Sequence, residues 1–571
     1  MVKKRKNKEK IMKNCRKPFF LISLLMLLIF ASCGSETKNK SNMVRAGASG
    51  TVINDYSSVV SAQSCKDTEG MRFISRMTVG INLGNQFDAN NCSWVSNELD
   101  YEFAWSKAKT TDAYIDAVFN AGFNTIRIPV SWHDHVDGNY KISEAWLNRV
   151  SEVVKYCYDK GMFVILDIHH DVSQDYYYPT DAKYNQSAKY MTAIWKQLCE
   201  KFSDYGERLI FESINEPRLT GSGIEWWVSD IEGQWGEAIK NIVKLNQVFV
   251  DTVRASGGNN ATRYLMVPSY ADAPDPTVTK SFTLPNDAAN HIIVTVHSYS
   301  PYDFAQNVWG GSTTSFNDSA KSENLRQLKL LYEKYVKNGI PVLIGEFGCV
   351  DKNNDQDFTN YVSYMVGVSK QYGMRAVIWD NNAFNTSGAT SGGDAQDTFG
   401  LINRSTCQIV KPNAIDAMMQ YYADMPGHTI KLDDKTAGGA VFEGIENNMT
   451  ANGSVSFKLK SSVPCIVLSS DGATENYSRL KAAKTSEENC YEFTVDVTDD
   501  VTITVCFLGD VDLDGSVDSA DALKVLRFDV GNADFNALQL LLADVTKDGK
   551  TDSADALQIL RFDVGKPSLE W

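Results

Sequence analysis

The chain has 571 residues, a formal net charge of −15 and a pI near 5.1. That length predicts about two to four domains, and the acidic balance excludes nucleic acid, whose binding proteins are basic. The first element in chain order is "MVKKRKNKEKIMKNCRK", a basic stretch, followed by the apolar run "PFFLISLLMLLIFA" (Pro18 to Ala31). An apolar run this short does not reach the roughly 20 residues of a spanning helix, so residues 1–32 are expected to be a secretory signal. Residues 33–64 then read as a polar linker.

The signal ends in "FASCGSE", where Cys33 after two small residues resembles the lipobox of bacterial lipoproteins. That resemblance implies a lipid anchor at Cys33; ordinary cleavage nearby and free secretion is the alternative. Both readings export the protein, to the cell surface or the medium. The eleven cysteines are scattered without CxxC pairs or metal-ligand spacing, so the sequence defines no disulfide framework. Cys157 and Cys199 fall on apolar helix faces and read as small buried thiols.

From Cys65 to about residue 425 a short β-rich run followed by a longer amphipathic segment recurs eight times. The runs are "TVGINLG", "TIRIPV", "FVILDI", "LIFESI", "YLMVPS", "HIIVTV", "PVLIGE" and "RAVIW". In "SEAWLNRVSEVVKYCYDKG", Leu147, Val150, Val154 and Cys157 keep helical spacing and Gly161 ends the turn. Near-continuous apolar strands alternating with helices predict a parallel sheet covered on its outer side. Eight units in a domain spanning 65–425 predict an α/β fold of the (β/α)8 TIM-barrel type. Active sites of such barrels lie at the C-terminal strand ends. Those ends carry, in order, Asn82 and Asn85, Arg127, His169 and His170, Asn215 and Glu216, Ser269 and Tyr270, His297 and Tyr299, Glu346, then Trp379 and Asp380. Two glutamates on separate strands, with Arg, His, Tyr and Trp around them, suit glycoside hydrolysis: one protonates the leaving oxygen while the other attacks or activates water. Glu212 reads as a structural residue deeper in the strand. A metal site from His169, His170 and Asp171 is disfavoured, because adjacent side chains on an extended strand point opposite ways.

The motifs "INEPR", "IGEFG", "HSYSPYDF", "IRIPVSW" and "DIHHD", each at its own strand end, together resemble glycoside hydrolase family 5. "INLGNQFD", "AWSKAKTT" and "IWDNNAF" sharpen the likeness toward its endoglucanase- and xyloglucanase-rich subfamily 4. The resemblance implies a retaining double displacement with Glu216 as acid/base and Glu346 as nucleophile. It further implies that Asn215 binds the sugar 2-hydroxyl, that Arg127 and Tyr299 hold Glu346, that His297 sits beside Glu216 and that His169 helps position the site. Trp379 would be the sugar platform, with His170, Asn85, Trp105 and Asn382 also on the substrate; catalysis needs no cofactor. Ten of eleven tryptophans precede Gly400; Trp94, Trp105, Trp132, Trp226, Trp227 and Trp309 fall in loops after strands, and Trp146 and Trp195 within helices. A long cleft for internal attack on a β-1,4-glucan follows. A mannanase or xylanase on the same barrel, or a non-catalytic glycan-binding barrel, are the alternatives.

Residues 427–508 contain "SVSFKLK", "CIVLSS", "CYEFTVDV" and "VTITVCF", alternating β runs that predict a small β-sandwich. The absence of Trp there favours a spacer over a carbohydrate-binding module. In 509–571, "GDVDLDGSVDSADALKVLRFDVG" recurs 34 residues later as "ADVTKDGKTDSADALQILRFDVG". Asp510, Asp512, Asp514, Asp518 and Asp521 take calcium-loop positions, with Gly515 at the sharp turn. Asp544, Asp548, Asp552 and Asp555 do so in the second copy, where Thr546 replaces a ligand and weakens the site. A duplicated loop-and-helix unit resembles a dockerin. The resemblance implies two structural Ca2+ ions and a cohesin module of a scaffoldin as partner, with Ser519-Ala520 and Ser553-Ala554 at recognition positions.

Overall fold

The computed structural model describes residues 63–566 and 569, apart from 227, 230, 387–388, 391–396, 423–427, 452, 471–476 and 498–499. The expected signal, nearly all of the linker, Cys33 and Trp227 lie outside the described residues.

Eight parallel strands close into a barrel in sequential order: β1 (Gly80–Leu83), β2 (Thr125–Ile128), β3 (Phe163–Asp167), β4 (Leu209–Glu212), β5 (Leu265–Pro268), β6 (Ile292–Ser298), β7 (Val342–Phe347) and β8 (Arg375–Asp380). The seam is the β1–β8 pairing, with Gly80 opposite Val377 and Leu83 opposite Asp380. Each strand is followed by a helix: α1 (Asp112–Asn120), α2 (Glu144–Asp159), α3 (Tyr184–Lys201), α4 (Gly233–Ala255), α5 (Pro276–Ser281), α6 (Asp318–Lys334), α7 (Asp355–Gln371) and α8 (Pro412–Met419). Strands of Val, Ile, Leu and Phe bury both faces, one into the barrel and one against the helices. In α2 the inward stripe is Trp146, Val150, Val153, Val154 and Cys157. Cys157 and Cys199 are buried free thiols.

Trp132 departs from the loop-aromatic expectation. It is fully buried, its indole N–H donates to the Asp167 carbonyl at 3.0 Å, and it is therefore core. Trp94, Trp226 and Trp309 are exposed and Trp105 is half-buried.

After the barrel, a sandwich joins a five-stranded and a four-stranded sheet. The first contains β9 (His428–Asp434), β11 (Met449–Ala451), β13 (Cys465–Ser470), β14 (Ser478–Arg479) and β17 (Val501–Phe507). The second contains β10 (Ala440–Glu443), β12 (Gly453–Ser461), β15 (Ala483–Lys484) and β16 (Cys490–Val497). Phe457, Leu459, Phe493 and Val495 meet Ile430, Val467, Ile503 and Val505 in its core. The last module is helical: α9 (Ser519–Asp529), α10 (Ala537–Ala543) and α11 (Ser553–Asp563). Both repeats start their helix with a capping box, Asp518 with Asp521 and Asp552 with Asp555.

Candidate active site

β2 delivers Arg127 to the centre of the barrel, where its guanidinium is fully buried among acceptors. Its Nε donates to Glu212 at 2.6 Å, Nη1 to Glu346 at 2.7 Å and to Asn82 at 3.1 Å, and Nη2 to Asn215 at 2.9 Å. Nη2 also lies 2.8 Å from an Asp167 carboxylate oxygen. One planar fork thus neutralises charge from β3, β4 and β7 and fixes their relative rotation. Glu212 sits deeper than the rim, as expected, and forms part of this ion cluster.

The side chains above Arg127 carry the chemistry. Tyr299 Oη donates to the second oxygen of Glu346 at 2.8 Å. His297 Nδ1 lies 3.0 Å from Glu216 Oε1 and 3.7 Å from Glu346 Oε2. An oxygen of Glu216, a ring nitrogen of His297 and an oxygen of Glu346 all fall within 4.8 Å of one another. Local irregularities aim these groups. Strand register shifts at Val296/His297 and between Ile344 and Phe347, and such bulges redirect side chains beside active sites. Gly345 is required by the same geometry: a Cβ there would stand 2.6 Å from Thr295 Oγ1 and 3.1 Å from His297 Nε2.

Glu216 has φ of 41°, the left-handed region that a non-glycine residue enters only when held there. The holder is Asp272, whose buried carboxylate accepts from the Glu216 backbone N–H at 2.8 Å and lies 3.8 Å from His297 Nε2. Arg218 closes the other side, donating to the Glu216 carbonyl at 2.9 Å and reaching its carboxylate at 3.4 Å.

Charge is distributed unequally. Burial opposes ionisation of Glu216, but the His297 hydrogen bond and charge, with Arg218 and His169, outweigh it and hold that carboxyl at about 2. Burial also disfavours charge on His297, yet Glu346, Asp272 and Glu216 together raise it to about 9. Glu346 is raised above the ordinary carboxyl value by burial, against the pull of His297, Arg127 and Tyr299. One proton therefore bridges His297 and Glu216, on the nitrogen side of a 3.0 Å contact.

Of the expected substrate groups, Trp379 is half-buried at the end of β8, its ring parallel to His169 within 11° at 6.0 Å. His169 Nδ1 is fixed by Asp167 at 2.7 Å, and burial holds His169 well below the usual histidine value. The alternation argument does not apply to His169 and His170. Both residues lie beyond β3, their rings stand 4.4 Å apart, and with Asp88 they form one of the clusters able to hold a cation. Asp171 is turned away, accepting from the Trp132 backbone N–H at 3.1 Å and from Tyr190. Trp105 lies 5.8 Å from His170. Asn85 is a turn residue with φ of 58°, its N–H bonded to Asp88 at 3.0 Å. Asn382 departs from the expectation of substrate binding. It is buried, its amide donates to the Ser106 carbonyl at 2.8 Å and accepts from the Arg404 N–H at 2.9 Å, so both ends are used to pin loops together.

An oxygen of each carboxylate within 4.8 Å of the other accords with retaining glycosidases, whose carboxyl groups stand about 5 to 5.5 Å apart, and not with inverting enzymes at about 6.5 to 9.5 Å. The comparisons agree. A model of cellulase (glycosyl hydrolase family 5) matches residues 84–385. The chain belongs to glycosyl hydrolase family 5. The family 5 chain is similar to endoglucanase B of Neocallimastix patriciarum, 36% identical over 368 residues, 63% of this chain and 74% of the relative. It is similar to the structure of a GH5 family lichenase from Caldicellulosiruptor sp. F32, at 44% identity and TM-score 0.60, covering 63% of this chain and 97% of that one. It is also similar to a GH5-4 broad specificity endoglucanase from Ruminococcus champanellensis with bound cellotriose, at 42% identity and TM-score 0.57, covering 62% of this chain and all of the other. This family 5 enzyme is a retaining glycoside hydrolase.

A dockerin type I domain model matches residues 508–562. In its first loop, oxygens of Asp510, Asp512 and Asp521 lie within 4.8 Å of one another. Asp512 Oδ1 is buried without a hydrogen-bond partner, and burial beside Asp521 and Asp514 raises Asp510 to about 6. Three crowded carboxylates with an orphaned oxygen fit a calcium ion. The second loop repeats the scaffold, Asp544 accepting from the Gly549 N–H at 3.0 Å as Asp510 does from Gly515.

Sequence reasoning missed Asp272 and Arg218. "INEPR" displays Arg218 openly. Asp272 lies four residues past the end of β5 at Pro268, and the left-handed backbone at Ala271 and Asp272, with φ of 52° and 50°, turns it back toward Glu216.

Proposed function

We propose that this chain is an exported endo-β-1,4-glucanase that cleaves β-glucans internally, and that its dockerin carries it into a cohesin-bearing extracellular complex. The observation that carries the reading is the pair Glu216 and Glu346, close together, the first in contact with His297 and the second held by Arg127 and Tyr299. Substrate choice is supported by the relatives, which are endoglucanases, a lichenase and a broad specificity endoglucanase. Cellulose, mixed-linkage glucan and xyloglucan are the proposed substrates.

In the first step an oxygen of Glu346 attacks the anomeric carbon, the glycosidic C–O bond breaks, and the leaving oxygen takes the proton of Glu216. Before the reaction that proton rests on His297 Nδ1, 3.0 Å from Glu216 Oε1, and Glu216 relays it to the leaving oxygen. Arg127 and Tyr299 orient the attacking carboxylate. Asn215, whose carbonyl end is taken by Arg127, offers its amide N–H to the sugar 2-hydroxyl. Trp379 lies under the ring, where aromatic faces suit sugar C–H groups. Esterification of Glu346 removes a negative charge near Glu216, which favours the ionised form of Glu216 as base. In the second step Glu216 takes a proton from water and returns it to His297 Nδ1, the water oxygen bonds to the anomeric carbon, and the Glu346 carboxylate is released.

The proposed organisation is a barrel over 65–425, a β-module over 427–508 and a dockerin over 509–571 that holds two Ca2+ ions, the second more weakly because of Thr546. Export through residues 1–32, with a lipid anchor at Cys33 as the finer form, completes the proposal. The test is product analysis on cellulose, mixed-linkage glucan, xyloglucan, mannan and xylan, with Glu346→Gln as control. Glucan oligomers from internal cleavage, absent in the variant, are expected. Mannan or xylan products alone would overturn the substrate assignment, and no product from any polymer would favour a glycan-binding barrel.

A further inference from the structure

"CIVL" (Cys465 to Leu468) and "VCF" (Val505 to Phe507), the end of "VTITVCF", are apolar at consecutive positions, which a sandwich strand with one wet face does not need. Cys465 and Val467 of β13 and Val505 and Phe507 of β17 point into the sandwich core. Their neighbours Ile466, Leu468 and Cys506 point to the other side of the sheet and are equally buried, at 1%, 0% and 0% exposure. What covers them is α10 of the calcium module: Leu538 and Leu542 join them in one cluster, with Tyr477, Leu513 and Leu541 at its edge.

The junction is continuous. β17 ends at Phe507 and the first calcium ligand position is Asp510, which leaves no linker. Leu508 is buried in the calcium-module core while its N–H donates to the Pro464 carbonyl at 2.8 Å, and the Gly509 N–H donates to the Leu542 carbonyl at 3.1 Å. Val517, in the first loop, packs against both cores. The turn of that loop also approaches the sandwich so closely that a Cβ on Gly515 would lie 2.5 Å from the Ala437 Cβ.

We propose that the β-module is the folding partner of the dockerin: one sheet face completes the hydrophobic core around α10 and braces the first calcium loop, so that 428–566 is a single cooperative unit. This replaces the expected role of spacer. The sheet takes α10 and leaves the outer face of the other two helices open. Leu523 and Leu557 are 48% and 55% exposed, and Val530 and Val564 are 68% and 70% exposed, in matched pairs one repeat apart. A scaffold partner would find that doubled surface presented on a rigid base. This consequence rests on the dockerin reading; the coupling of the two modules does not.

The experiment uses the full-length protein with calcium as the probe and hydrogen exchange followed by peptide mass spectrometry. Ile466→Thr with Leu468→Thr keeps strand propensity and the inner core but removes the apolar outer face. Amides of 537–543 are expected to exchange about tenfold or more faster, as for loss of buried leucine packing, with calcium binding at the first loop weakened and glucan hydrolysis unchanged. Leu538→Thr, on the calcium module, is expected to speed exchange in Cys465–Ser470 reciprocally, and it decides the matter if the first variant unfolds the sandwich. Protection lost only in the module that carries the substitution would overturn the proposal. Wild-type binding to cohesins is measured separately: its failure would remove the dockerin reading and leave the exchange result standing.

Discussion

Tyr299→Phe isolates one hydrogen bond on the nucleophile. The ring stays, and with it the edge contact to Phe399 at 5.9 Å, so only the 2.8 Å bond from Tyr299 Oη to Glu346 is lost. A hydrogen bond to a charged group contributes about 1.5 to 3 kcal/mol. The bond favours the ionised form, so its removal raises the Glu346 carboxyl further. Arg127 remains at 2.7 Å on the other oxygen, which limits the shift. The freed oxygen, 3.7 Å from His297 Nδ1, is drawn toward that ring, and the misaligned attack is expected to cost about tenfold in kcat. The assay is the pH profile of kcat/KM on an aryl β-cellobioside, whose acid limb reports the carboxylate that must be ionised. The limb is expected to move to higher pH. An unmoved limb, or one displaced to lower pH, would refute the assignment of Glu346 as the ionised group.

His297→Gln removes the cation that stores the proton. In the wild type the shared proton leaves as pH rises through about 9, so the basic limb of the same profile is expected to fall into the carboxyl range, where Glu216 alone must keep it. Asp272→Ala removes the acceptor that holds the Glu216 backbone at φ of 41°; kcat on polymeric glucan is expected to fall about tenfold or more with KM little changed, a split that a general loss of stability would not give. Chelation is expected to unfold α9 to α11 and abolish cohesin binding while hydrolysis of soluble glucan continues, because calcium offsets the repulsion among Asp510, Asp512 and Asp521. Asp512→Asn should weaken calcium binding at the first loop, and circular dichroism during calcium titration would register both effects.

The barrel was legible because eight short β-rich runs, most of them near-continuously apolar, alternate with amphipathic segments. Arg127, Asn215, Glu216, His297, Tyr299 and Glu346 were legible because each falls in or just after the C-terminal half of a strand and within a motif that resembles family 5. Asp272 was hidden because a positive-φ turn, not its distance along a strand, brings it to Glu216. The placement of His169 beside His170 was misjudged by carrying strand alternation past the end of β3 at Asp167. Asn382 was misjudged because a polar residue near the rim can be consumed by loop carbonyls. The doubly buried sheet of the β-module is legible in "CIVLSS", where Cys465 to Leu468 are apolar at four successive positions.

The central claim is the division of labour between Glu216 and Glu346, and azide rescue of Glu216→Ala tests it most directly. An activated aryl β-cellobioside needs little proton donation, so the variant should form the glycosyl-enzyme on Glu346 and then stall for want of a base. Azide needs no base, and its addition is expected to restore turnover and yield a β-cellobiosyl azide, with configuration retained, as read by proton NMR. An α-configured azide, or cleavage of polymeric glucan at the wild-type rate without azide, would contradict the account.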